Sequence, residues 1–392
     1  MDAAPETPGA ASATLATIAR EWTRIGVTGF GGPPSHVILL RRLVVERRRW
    51  LDAREFEDAN AACGLLPGPA STQLAIFCAY RVGGPLGALV GGLGFILPAV
   101  ALVLALSFLF FGHAPPLWVR GAGAGAGAAV AAVALGAACA LVVPSYERVR
   151  AGGAERLRWA AYIVAAAAGA AFLGPYLVLV LLACGLAELA LVRGSAFAGA
   201  HVGPLAALAP AAVATGGIGA LCWTALKVGA LSYGGGFVIV PLMQGDAVHT
   251  YHWMTDADFV NAVALGQVTP GPVVATIAAV GYAAHGLTGG LLAAAVAFAP
   301  SFSFILLAGG RFARLRASES AQAFLAGAGP AAIGAIAGAC VPLTGALSQP
   351  WQYPVLAAAA AALLVLRRSA VAVLVCAGAV GVVVALAGGP LP

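Results

Sequence analysis

Long apolar runs cut by short polar clusters set the pattern of this chain. Positions 83–111, 121–143 and 370–388 are each long and apolar enough to cross a ~30 Å hydrocarbon layer as a helix. Shorter apolar runs occupy 159–173 and 175–192, and clusters of arginine separate the runs. The pattern predicts an all-α polytopic membrane protein, since a helix satisfies its own backbone polar groups in lipid. Two further apolar stretches are interrupted. Pro67-Gly68-Pro69 divides 59–80, and Pro270-Gly271-Pro272 divides 259–282.

These interruptions belong to a duplication. Arg24, Gly26, Phe30, Gly31, Gly32, Trp50 and Phe56 recur 203 positions later as Lys227, Gly229, Tyr233, Gly234, Gly235, Trp253 and Phe259. The two Pro-Gly-Pro turns keep the same offset. From 24–87 to 227–290 the copies align without a gap and share 16 of 64 residues. The expected organisation is a first repeat over 1–194, a connector over 195–217 and a second repeat over 218–392.

Composition agrees with a membrane protein: 61% of residues are hydrophobic, 9% are charged, and mean hydropathy is +0.94. The net charge of +6 is no sign of nucleic-acid binding, because the arginines lie between the spans, where they set orientation. The first 19 residues carry Asp2 and Glu6 without a basic region, so no cleavable signal is expected. Cysteines 63, 78, 139, 184, 222, 340 and 376 are scattered singly and read as small buried hydrophobes. No metal site or cofactor is expected. The abundance of Gly and Ala has two readings: close helix approach, or a GC-rich coding bias.

Charge also orients the repeats. Loop 41–58 holds Arg41, Arg42, Arg47, Arg48, Arg49 and Arg54. Its counterpart, loop 244–258, has no Lys or Arg but carries Asp246, Asp256 and Asp258. Positive loops stay in the cytoplasm, so the two loops should face opposite sides and the repeats should be inverted. The clusters at Arg148–Arg158, Arg193, Arg311–Arg316 and Arg367-Arg368 all fall inside on one condition. Each Pro-Gly-Pro stretch must enter and leave on the same side, as a re-entrant hairpin. Each repeat then has about five crossings plus one hairpin, and both termini lie outside.

A helix that restarts inside the membrane presents unpaired N–H groups and partial positive charge, which suits an anion. Candidate substrate-binding positions are therefore Gly31, Gly32, Ser35, Pro67, Gly68, Ser71, Thr72 and Gln73 in the first repeat. Those in the second are Gly234, Gly235, Gly236, Gln267, Pro270, Gly271 and Thr276. Arg24 and Lys227 are the matched cations, the latter being the only lysine. Intramembrane charge defaults to function, with snorkelling as the alternative, especially for Arg24. His36, Glu46 and Asp58 are coupling candidates, against the reading that the two acids are solvated loop charges. Ile239 replaces His36 in the second copy. Trp50, Trp253, Phe56 and Phe259 read as interface anchors. Glu188 is a separate acid within a span. No Walker A sequence or nucleophile elbow is present, so no enzyme is expected.

Phe30–His36, Trp50, Phe56 and Pro67–Pro69 resemble the first half of chromate transporters of the CHR family, long-chain two-domain type. Lys227, Tyr233–Gly236, Trp253, Gln267–Pro272 and Gly281-Tyr282 resemble its second half. The resemblance implies a multi-pass inner-membrane protein that exports chromate and confers chromate resistance. It also implies a duplication with opposite orientation. Asn261 departs from the acid expected by analogy with Asp58. Outward movement of a dianion across ~100 mV gains ~4.6 kcal/mol. That supports a concentration ratio on the order of 10³; proton exchange could add to it. A sulfate or related anion importer, an anion channel and a non-transporting scaffold are the alternatives. The expected partners are a chromate- or sulfate-type oxyanion and the lipid bilayer, with no nucleic acid and with a homodimer left open.

Overall fold

The computed structural model describes residues 13–64, 66, 68–112, 115–147, 149, 152–193, 216–232, 238–308 and 318–392. Every regular element among them is helical. The first half contains α1 (Leu15–Thr28), α2 (Pro33–Arg41), α3 (Ala53–Cys63), α4 (Ala70–Phe110), α5 (Leu117–Glu147), α6 (Gly153–Phe172) and α7 (Leu177–Arg193). The second begins with α8 (Ile218–Leu231), α9 (Ile239–Gln244), α10 (Asp256–Val268) and α11 (Thr276–Ala308). It ends with α12 (Glu319–Gly338), α13 (Cys340–Gly345), α14 (Gln352–Leu364) and α15 (Ala370–Leu386). Among the described residues four segments are long and apolar enough to cross a membrane: Ala70–Phe110, Leu117–Glu147, Val273–Leu307 and Glu319–Gly345. Helices α7, α8, α14 and α15 are apolar but shorter.

The duplication reaches the backbone. Loop 41–58 is partly ordered as a π-helical turn, Arg42–Arg47, and its copy is the π-turn Gly245–Thr250. Arg49 and His252, one copy of the other, both adopt φ 53°. Asp52 and Thr255 then cap α3 and α10, their side chains accepting the N–H of Glu55 and Asp258. Loop 244–258 is thus less solvated than its charge suggests: Asp246, on the π-turn, is buried.

Both long helices are broken in the same way. In α4 the break is at Gly83 (φ −137°, ψ 18°) and Gly84 (φ 64°, ψ −158°). In α11 it is at His285 (φ −145°, ψ 31°) and Gly286 (φ 63°, ψ −156°). These positions differ by 202, so the gapless alignment slips by one residue beyond the Pro-Gly-Pro turns. The reason is local. Helix α4 starts at Ala70, whereas α11 is preceded by a 3₁₀ turn, Val273–Ala275. A 3₁₀ turn rises ~2.0 Å per residue against ~1.5 Å, so fewer residues cover the same distance. The arms 70–82 and 276–284 reach only about 20 and 13 Å, while 85–110 and 287–308 exceed 30 Å.

Helix α1 packs along α4, α8 along α11, and α4 against α11. Equivalent glycines make the first two contacts: Gly26 faces the Phe95 carbonyl, and Gly229 faces that of Ala297. Gly92 faces Phe302, whereas Gly290 faces Leu104. Rising numbers on α4 meet falling numbers on α11, so these matched helices run antiparallel. The halves also exchange partners. First-half α5 packs against α14 and α15, and second-half α12 against α6 and α7. Gly121 and Gly125 on α5 abut Gly381 of α15, and Gly334 and Gly338 of α12 abut the backbone of Ile163 and Ala167. A side chain at these positions would strike main chain, which favours the close-approach reading of the glycines.

Two expectations are corrected. Phe56 and Phe259 are fully buried, so they are core residues rather than interface anchors. Cys139 and Cys376 are exposed, because they fall on the outward faces of α5 and α15. Glu188 ties α7 to α6: Arg158 donates to it through two nitrogens (2.9 and 3.1 Å), and the Tyr162 hydroxyl donates at 3.0 Å.

Candidate functional site: the crossed Pro-Gly-Pro turns

Gly68 has φ +118° and Gly271 φ +107°, conformations that an L side chain resists. Each turn sits against the opposite half. A Cβ on Gly68 would lie 3.3 Å from the Gly229 carbonyl and 3.6 Å from Ser301 Oγ. One on Gly271 would lie 3.7 Å from the Gly26 carbonyl and 2.7 Å from Ala99 Cβ. Gly229 copies Gly26, and Ser301 copies Ala99 in the 202 register. The two turns therefore exchange places around a local pseudo-twofold axis.

His36 ties the first helix break to both turns. It is fully buried, with its ring edge-on to Phe95 at 5.0 Å. Its Nε2 lies 2.9 Å from the Gly29 carbonyl, and its Nδ1 lies 3.2 Å from Ser71 Oγ. A carbonyl only accepts, so Nε2 carries the proton; Nδ1 of the neutral ring then accepts the Ser71 O–H. The Gly29 carbonyl also accepts the Gly271 N–H at 3.0 Å. One imidazole and one carbonyl thus connect the start of α4 with the second Pro-Gly-Pro turn.

At the start of α4 the N–H groups of Thr72 and Gln73 turn back onto the Pro69 carbonyl, both at 3.0 Å. Those of Ala70 and Ser71 remain for another acceptor, as at any helix N-terminus. The Gln73 amide nitrogen lies 2.7 Å from where a Gly68 Cβ would stand. Buried Thr72 Oγ1, Ser232 Oγ and Ser301 Oγ, together with Gln267 Nε2, have no hydrogen-bond partner among the described residues. The second turn is plainer. It is followed by Val273, Val274 and Ala275, and the Thr276 hydroxyl donates to its own turn at Val273 O (2.7 Å).

The remaining candidates are scattered. Pro67, Gly234, Gly235 and Gly236 lie outside the described residues, as does Tyr233. Gly31 (φ 95°) is exposed, Gly32 and Ser35 are half-buried, and Pro270 is buried beside Gly271. Arg24 lies on the outward face of α1 with Arg20, Thr23 and Val27, away from the buried stripe of Ile18, Trp22 and Ile25. Arg24→Ala should therefore change anion flux by no more than about twofold; a larger loss in reconstituted vesicles would return Arg24 to the site. Glu46 pairs with Arg41 at the surface (2.6 Å), and Asp58 is exposed on α3. Neither acid reaches the crossed turns. Asn261 turns toward Gly123 and Gly127 of α5, a packed contact suited to a neutral amide rather than to an acid.

Lys227 is already paired. Its Nζ lies 2.6 Å from Asp246 Oδ2, which also accepts the Thr224 hydroxyl at 2.8 Å. In the first half the polarity is reversed. Buried Glu21, the copy of Thr224, takes Arg47 from the end of the π-turn and Arg48 just after it. Asp246 and Glu21 are partners that the sequence reading did not assign. A helical wheel would have exposed Glu21, four residues before Ile25 on the buried stripe.

Interrupted, mutually crossed helices in a polytopic all-α membrane protein define a class: an integral membrane protein with non-helical backbone held inside the fold. The chromate transporter family model matches residues 16–189 and 219–382. The chain belongs to the chromate transporter family. It is 31% identical over 350 residues to the chromate transport protein of Cupriavidus metallidurans, covering 84% of this chain and 82% of that one. It is 30% identical over 345 residues to a probable chromate transport protein of Synechococcus elongatus, covering 84% of each. The chromate transport protein of Pseudomonas aeruginosa is 29% identical over 339 residues, 82% of this chain and 79% of that one. No solved structure matches the chain.

Proposed function

We propose that this protein is a secondary transporter that exports chromate across the cytoplasmic membrane, driven by the membrane potential, and so confers chromate resistance. The observation that carries the reading is the start of α4: a helix N-terminus at a buried crossing, beside hydroxyls that lack partners among the described residues. Such a group of donors suits a tetrahedral oxyanion. The names of the relatives supply chromate as the substrate. The negative cytoplasm supplies the direction, since a dianion leaves it downhill.

The proposal includes inverted repeats with re-entrant Pro-Gly-Pro hairpins. The antiparallel run of α4 and α11 supports inversion, because equivalent spans of parallel repeats would run the same way. The short arms 70–82 and 276–284 support re-entry, since neither is long enough to cross alone.

Purified protein in vesicles should show saturable chromate flux that grows with an inside-negative potential. Flux near free diffusion would make it a channel. Potential-independent uptake of sulfate, with no chromate flux, would replace the reading. Single cysteines at Arg48 and His249, both exposed, should label from opposite sides of the membrane; labelling from one side would reject the inversion.

A further inference from the structure

We propose that Ser301 is a substrate ligand supplied by the second half to the first-half turn, so that the protein has one oxyanion site rather than two symmetric ones. The inference rests on the transporter reading above and adds the residue that makes the site one-sided.

Ser301 is fully buried on α11, and its Oγ has no hydrogen-bond partner among the described residues. A buried hydroxyl is normally satisfied, so an unpaired one beside a helix N-terminus points to a ligand. It stands beside Gly68, on the turn that leads into α4. Two kinds of donor meet there: the N–H groups of Ala70 and Ser71, and the hydroxyls of Thr72 and Ser301. With His36 neutral, Ser71 is excluded as a hydroxyl donor, because its hydrogen goes to Nδ1. Thr72 and Ser301 are then the hydroxyls left for the oxygens of a tetrahedral dianion.

The pseudo-twofold copy provides an internal comparison. Beside Gly271 the equivalent of Ser301 is Ala99, and the equivalents of Ser71 and Thr72 are Val274 and Ala275. The backbone turn is kept, but the hydroxyls of Ser71, Thr72 and Ser301 have no counterpart at Val274, Ala275 and Ala99. Thr276 stands in the place of Gln73 and bonds its own turn. The second turn therefore serves as scaffold, holding Gly29 through its N–H, while the first turn binds.

The test is chromate flux in proteoliposomes with Ser301→Ala, Ser301→Cys and a control, Ser303→Ala, at an exposed position of the same helix. Ser301→Cys keeps the volume and weakens the donor, which guards against a packing effect. Both Ser301 variants should raise the half-saturation for chromate about tenfold or more, as expected for a lost hydrogen bond to a charged group. Their maximal rate should change little, and Ser303→Ala should match wild type. Unchanged half-saturation in both variants, with wild-type flux intact, overturns the role of Ser301 and leaves the transporter reading standing. Loss of folded protein without a shift in half-saturation also overturns it, as a purely structural role would. Absence of saturable chromate flux in wild type overturns the transporter reading, and this inference with it.

Discussion

Replacing Asp246 by alanine is expected to destabilise the protein by about 3–5 kcal/mol, the cost of leaving a buried charge without its partner. Lys227 Nζ lies 2.6 Å from Asp246 Oδ2, and the two side chains are only 15% and 3% exposed. With the carboxylate gone, the Lys227 amine is left without its partner in a site with little access to water. Replacing both residues with apolar ones, Lys227→Met with Asp246→Leu, removes the charge together with its partner and should recover most of the stability. Thermal unfolding in detergent reads both variants. The double variant should also transport chromate, because the pair is neutral as a unit. A double variant that folds normally but carries no chromate would show that Lys227 meets the substrate. The first-half counterpart is milder. Glu21 is held by Arg47 and Arg48, whose side chains are 48% and 37% exposed and can rehydrate when the acid is removed.

Gly68→Ala is expected to leave the protein folded but to reduce chromate flux about tenfold or more. At φ +118° an alanine carries a strain of about 1–3 kcal/mol. Its Cβ would approach the Gln73 amide at 2.7 Å, and that flexible side chain can swing aside. The turn then shifts by a fraction of an ångström beside the α4 N-terminus, where donor placement decides binding. Gly271→Ala should behave differently. Its Cβ would meet Ala99 Cβ at 2.7 Å on a packed helix that has no room to yield. The main loss there is folded protein, together with the Gly271 N–H bond to Gly29. Equal flux and equal stability in both variants would contradict this division between a binding turn and a scaffold turn.

The sequence displayed the duplication and the Pro-Gly-Pro turns because glycine and proline mark backbone that side chains cannot replace. It did not display the one-residue slip, since a 3₁₀ turn replacing helix leaves no composition signal at Val273–Ala275. Arg24 looked intramembrane by position. Only the wheel of α1, with Ile18, Trp22 and Ile25 inward, turns it outward. Asp246 looked like a loop acid because the π-turn that buries it has no pattern of its own. Ser301 was invisible for a simpler reason. A single serine in an apolar helix resembles packing until Gly68, far off in sequence, comes to lie beside it.

The exchange of helices between halves sets an order on biosynthesis. Helix α5 is made early, yet its glycine face waits for α15, which is made much later. Contacts of such sequence separation are slow to form. Until then a bare seam of glycines faces the lipid, and insertion machinery or neighbouring helices must shield it. A chain cut between α7 and α8 would therefore yield two fragments that complete one another, not two independent transporters.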